Sequence, residues 1–204
     1  MTHTMRTLLI SLLVCFCTSS VFAASDLPSD SVYQVGGTWV TADNQSIQLE
    51  SLAGKPQVIA LIYTGCSNSC PVIVESMKRV EKQVPIAMRS KIGFVLISLT
   101  PDTDYPKTLK NFAVKKELNQ NWKLLRGNNA LVRALSNALN GRYKVIKEDD
   151  VAHSNSVTLL NSQGQIQLQA NGTLTGIKPI MDAVDKEYLS NTAAASDNKI
   201  IYTR

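Results

Sequence analysis

Two cysteines four residues apart, Cys66 and Cys70, stand in the stretch Tyr63-Thr64-Gly65-Cys66-Ser67-Asn68-Ser69-Cys70-Pro71. Thiols at this spacing can do two kinds of chemistry. They can exchange electrons as a dithiol–disulfide couple, or they can hold a soft metal ion. An unbroken apolar run, Val58 to Tyr63, leads into the pair, and a helix-patterned segment follows it. The cysteines therefore belong at a strand-to-helix turn. The first turn of a helix carries partial positive charge and unpaired N–H groups, which favour thiolate over thiol.

The start of the chain decides which other ligands remain. Arg6, the apolar run Leu8 to Cys17 and the small residues of Val21-Phe22-Ala23 read as a secretory signal peptide, cut near Ala23-Ala24. The apolar run is shorter than the about 20 residues a spanning helix needs, so cleavage is expected rather than anchoring. Cleavage removes His3, Cys15 and Cys17, leaving Cys66, Cys70 and His153. An exported chain meets oxidising conditions, which invite a disulfide. A Cys66–Cys70 bridge would close a very short loop and stabilise the fold little, so a structural staple is the weaker reading.

Around this site the elements follow from pattern. Residues 1–23 are the signal peptide, 24–190 one domain and 191–204 a flexible tail. Val32 to Val40 and Ile47 to Leu52 are expected to form a β-hairpin turning at Asp43-Asn44. Val58 to Tyr63 and Ile92 to Leu99 lack alternation, as strands buried on both faces do. Pro71 fits the first turn of a helix, and Ile73, Met77, Val80 and Val84 form its apolar stripe. Met77 belongs to that stripe and reads as core packing, not as a thioether ligand. A helix from Pro106 to Leu118 is expected with Asp104 as its N-cap, then a short strand from Trp122 to Leu125. A helix from Asn129 to Asn140 should stop at Gly141. Val151 to Ser156 reads as a loop carrying His153. A hairpin, Ser156 to Leu160 with Gln165 to Gln169, and a helix from Ile177 to Leu189 close the domain.

Buried strands alternating with helices imply an α/β sandwich. A cysteine pair after the first central strand and a closing hairpin plus helix make it thioredoxin-like. The expected sheet is mostly parallel at its centre and flanked by helices. The net charge of +5 is mild, and no Lys/Arg block with interleaved aromatics supports nucleic-acid binding.

Thioredoxin-type catalysts pair cysteines at C-x2-C and carry a proline before the strand that faces them. Here the spacing is C-x3-C, no proline lies between Pro106 and Pro179, and His153 occupies the facing stretch. Cys66, Cys70 and His153 together make a candidate metal site. Two thiolates select Cu(I) or zinc, and an added imidazole suits Cu(II). Structural zinc wants four closed ligands, and a fourth Cys or His is missing from the processed chain. Pro71 after Cys70 excludes haem attachment.

These residues resemble the Sco/SenC family. Gly54-Lys55-Pro56 through Tyr63-Thr64-Gly65-Cys66 and Cys70-Pro71 looks like its G-K-P, strand, Y-T-x-C-x3-C-P segment. Ser98 to Pro106 is similar to its S-x-D-P-x-x-D-T-P loop. Gly141-Arg142-Tyr143 and Val151 to Gly164 are similar to the region of its V-D-H-S element. The resemblance spans roughly residues 32–190. It implies a periplasmic copper-binding, metallochaperone-like protein that holds Cu(I) or Cu(II) through Cys66, Cys70 and His153. The implied partners are a copper-receiving oxidase subunit, or another periplasmic copper protein, and a thiol reductant. The alternative is a thiol–disulfide oxidoreductase whose redox-active pair is Cys66 and Cys70. The chain departs from the family pattern at Thr100 and Ala152, where Asp is usual, at Ser67, where Pro is common, and at Tyr105, where Thr is common. Asp104 matches.

Overall fold

The apolar run ahead of the cysteines becomes a strand with every residue buried. In a computed structural model, residues 27–66, 69–147 and 150–197 are described. The elements in order are β1 (Trp39–Thr41), β2 (Ser46–Ile47), β3 (Gln57–Ile62), α1 (Ser69–Gln83), β4 (Gly93–Ser98), α2 (Pro106–Lys115), β5 (Trp122–Arg126), α3 (Asn129–Ala138), β6 (Tyr143–Lys147), β7 (Asp150–His153), β8 (Ser156–Leu160), β9 (Ile166–Asn171) and α4 (Lys178–Asp197). The expected signal peptide, with His3, Cys15 and Cys17, lies outside the described residues, as does Ser67.

A seven-stranded sheet runs β2-β1-β5-β4-β3-β8-β9. Its three central strands, β3, β4 and β5, are parallel, while β1 and β8 join them antiparallel. α4 packs against α1 and β9, and α2 against β5. This is the expected thioredoxin-like α/β sandwich, with a hairpin at the start and a hairpin plus helix at the end. Each residue of β3 and β4 is buried, which is why neither alternates. On α1, Cys70, Ile73, Met77 and Val80 face the core, as does Val84 just beyond it. A fully buried apolar side chain contributes about 1.5–3 kcal/mol, so this stripe fixes where Cys70 can be. Met77 is core, as its spacing implied.

Several expectations are corrected. The first hairpin is shorter than expected: Val32–Gln34 and Leu49–Leu52 are 3-10 turns instead of strand. Gly37, at φ +91°, breaks the extended run, and Val32, Leu49 and Leu52 anchor in the core. The αL residue after α3 is Asn140 (φ 52°), not Gly141. The Gly141 N–H bonds to Ser136 O and the Asn140 N–H to Asn137 O, a Schellman arrangement. Asp104 does not cap α2, whose N-cap is Tyr105. The stretch carrying His153 is β7, paired antiparallel with β6 in a separate two-stranded sheet. α4 continues past Leu189 to Asp197, through Ala193 to Ala195, the best helix former in a row. No described helix is long and apolar enough to cross a membrane.

Candidate metal centre

The site is assembled at the C-terminal end of β3. The chain turns at Thr64-Gly65, and the Cys66 N–H bonds to the Tyr63 carbonyl at 3.2 Å. Cys70 lies in the first turn of α1 and is fully buried, while Cys66 is half-buried. Both are reduced. The Cys70 backbone N–H donates to Cys66 Sγ at 3.4 Å. A helix-start amide aimed at sulfur stabilises negative charge there.

His153 ends β7 directly opposite Tyr143. Its Nε2 lies 3.5 Å from Cys70 Sγ, and its Nδ1 lies 3.0 Å from the Ser154 carbonyl. A carbonyl only accepts, so Nδ1 carries the proton and Nε2 turns its lone pair towards the cysteines. Burial lowers the imidazole's proton affinity, and the Ser154 carbonyl opposes this only in part. Ligand atoms of Cys66, Cys70 and His153 all lie within 4.8 Å of one another. The residues singled out from sequence are thus brought to one point, and together they could hold a metal ion.

Two residues that sequence reasoning gave no site role position this group. Tyr63 sets its ring edge-on to His153, with centroids 6.1 Å apart and planes at 82°. Burial first, then its hydrogen bond with Cys66, hold the Tyr63 hydroxyl above its usual pKa, and the Val151 backbone also bonds to it. Tyr63 therefore links the end of β3 to both halves of the donor set.

Asp104 is the second. It is buried, and its carboxylate gathers donors from three segments. The Thr64 backbone N–H donates at 3.2 Å, Ser98 Oγ at 2.7 Å and Thr100 Oγ1 at 3.0 Å, and Thr64 Oγ1 donates as well. One side chain thus pins the turn before Cys66 to the end of β4. The capping reading failed because a more demanding set of donors competes for the same oxygens. The signal was present in Thr64 and Asp104, each inside a motif segment, but nothing local joins them.

The departures at 100 and 152 also acquire a geometry. Thr100 Oγ1 donates to Asp104, so an acid at 100 would set two carboxylates side by side. Ala152 is exposed between buried Val151 and half-buried His153, as strand alternation requires. It points away from the face that carries the imidazole, whose Nδ1 is held by Ser154 instead.

A family model described as SCO1/SenC matches residues 30–188. The SCO1 protein homolog of Bacillus subtilis is 29% identical over 141 residues, spanning 66% of this chain and 72% of that protein. Bradyrhizobium japonicum ScoI, solved with copper bound, superimposes with a TM-score of 0.63 at 21% identity, covering 75% of this chain and 98% of that one. That likeness carries the fold. BsSco, a member of the Sco family of cytochrome c oxidase assembly proteins in which a disulfide switch was identified, is 25% identical with a TM-score of 0.63. The match covers 74% of this chain and 90% of that one.

Proposed function

The chain belongs to the SCO1/SenC family, and from that premise we propose that it is an exported, periplasmic copper-binding protein of metallochaperone type. Cys66, Cys70 and His153 hold Cu(I) or Cu(II), which is cargo for a copper centre such as that of cytochrome c oxidase. The observation that carries this reading is the convergence of two sulfurs and an imidazole nitrogen within 4.8 Å of one another. With no pair farther apart than 4.8 Å, an ion can sit within about 2.8 Å of all three atoms, at most about half an ångström beyond a metal–thiolate bond of ~2.3 Å. A small inward movement closes the site. Two thiolates suit Cu(I), and the imidazole extends the set to Cu(II). Residues 1–23 act as the export signal, and residues 24–190 form the working domain.

Each group has a part. Cys70, fixed in the core, sets the depth of the site, and Cys66, nearer the surface, is the thiolate a recipient protein can reach. Nδ1–H to the Ser154 carbonyl fixes the tautomer of His153 before metal arrives. The test is a copper titration of the reduced protein, followed by optical and paramagnetic resonance spectra, with His153→Ala beside it. A one-to-one Cu(II) complex with thiolate charge-transfer bands, lost in the variant, is the expected result. Copper that merely oxidises the pair and leaves, with or without His153, would overturn the reading.

One observation supports the second reading, thiol–disulfide exchange. Cys66 is accessible and Cys70 is buried behind it, the arrangement of an attacking and a resolving thiol. In that reaction Cys66 thiolate attacks a partner disulfide, and Cys70 then displaces the partner's thiol. The protein gains a disulfide, and the partner gains two electrons and two protons. His153→Ala should leave this reaction nearly unchanged, which separates the two readings.

A further inference from the structure

The Gly54-Lys55-Pro56 turn plays no part at the cysteines, since it lies at the other end of β3, on the order of 20 Å from them. There it borders a cavity of about 340 Å³ framed by Lys55, Lys91, Lys123, Ser90, Asn121 and Gln57, among others. None of the described residues lining this cavity is acidic. The turn and the first residues of β3 and β4 build its floor. Gln57, 2% exposed, donates to the Leu52 carbonyl at 2.9 Å. Its carboxamide fills the space beside Gly93, where an added Cβ would come within 1.9 Å of Oε1. The floor is therefore rigid, and the cations stand around it.

Lys55 is half-buried there, with Nζ donating to the Ser90 carbonyl at 3.2 Å. Burial lowers its pKa, and the charge of nearby Lys123 lowers it further. Like charges drawn together in a concave site repel, and an anion between them turns that repulsion into attraction. The size is that of a small-molecule site.

We propose that this cavity binds an anion of the phosphate class, held by Lys55, Lys91 and Lys123 with Ser90 and Asn121 at the side. This site is independent of the metal centre, and a failure here leaves the copper reading untouched. The same chemistry is offered by a soluble phosphate compound and by a phospholipid headgroup, so the experiment has two arms.

In the first arm, labelled protein is titrated with pyrophosphate at constant ionic strength and followed by amide chemical shifts. Shifts should gather at Gly54, Lys55, Lys91, Gly93 and Lys123. Affinity should fall about tenfold or more in Lys123→Gln, the scale of one lost charge-assisted hydrogen bond. Lys123→Arg should restore most of it. Lys78→Gln removes a cation on α1 that pairs with Glu117, and it should change nothing. In the second arm, phosphatidylglycerol vesicles replace pyrophosphate. Binding in either arm that depends on Lys123 supports the site and names its source. Shifts spread over the surface, an equal loss in Lys78→Gln, or no binding in either arm overturns it. Lys123 is exposed, so its variants test the charge without disturbing the core.

Discussion

The two halves of the donor set are held by opposite means. Cys70 sits on α1 with the whole of β3 behind it, so its sulfur is placed by the main core. His153 sits at the end of a two-stranded ribbon outside the main sheet. That ribbon anchors through buried Val151 and half-buried Tyr143, under Arg133 at 5.3 Å, while Val145 and Ile146 are 51% and 60% exposed. A site built this way has a fixed wall and a hinged one. On the copper-binding reading proposed above, the fixed wall would set geometry, and the ribbon outside the main sheet would be where an ion enters and leaves at low cost in structure.

Substitutions can break this contrast, in order of expected effect. Cys70→Ala removes from the fixed wall one of the three donors that group at the site among the described residues, so copper binding should vanish, as read by loss of the thiolate charge-transfer bands. Retained one-to-one binding would show that the wall is not where the ion rests. His153→Ala should be less severe. Cu(I) binding by the two thiolates persists, while Cu(II) affinity drops by more than the about 10–100-fold that an outer partner of a ligand is worth. Equal losses for both oxidation states would mean that the imidazole shapes the pocket and does not select the ion.

Asp104→Asn probes the fixed wall without touching a ligand. The new amide places a donor against hydroxyls and an N–H that already donate. Stability should fall by about 1–3 kcal/mol in urea unfolding. Copper affinity should fall about 10–100-fold if the Thr64 turn sets the position of Cys66. A drop in stability alone would confine Asp104 to the fold.

Hydrogen exchange sharpens the comparison directly. In the metal-free protein the amides of β3 and β4 should open only with global unfolding, and those of β6 and β7 well before it. Copper at a hundredfold above its dissociation constant adds about 2.7 kcal/mol to any opening that breaks the site. The slowing should therefore appear in β7 if the hinged wall closes on the ion. Slowing restricted to α1 would argue that His153 stays apart. The smallest effect belongs to Ile146→Thr, which should move stability by no more than about 0.5 kcal/mol, because its side chain is already in water.

The cysteine pair was legible from sequence because its geometry is local. Four residues across the start of a helix cannot place the sulfurs far apart, and a six-residue apolar run bounded by turn residues fits a strand buried on both faces. The stripe on α1, the parallel centre and the closing hairpin follow from the same short-range periodicities. The β6–β7 ribbon escaped notice because its pattern has no core behind it: Val145 and Ile146 face water, so apolar spacing there carries no record of burial. Asp104 escaped because a carboxylate near a helix start has a local use, and only the folded chain brings Thr64 across 40 residues to claim it. The meeting of His153 with Cys70, 83 residues apart, was expected from resemblance and from the facing loop, but it is decided by tertiary structure. The pairing of β8 against β3 carries β7 to the cysteines, and the Ser154 carbonyl then turns the imidazole towards them. The sequence by itself determined which donors exist and that two of them must be neighbours. Long-range strand pairing decided that the third would join them, because only buried strands can hold distant parts of a chain in register.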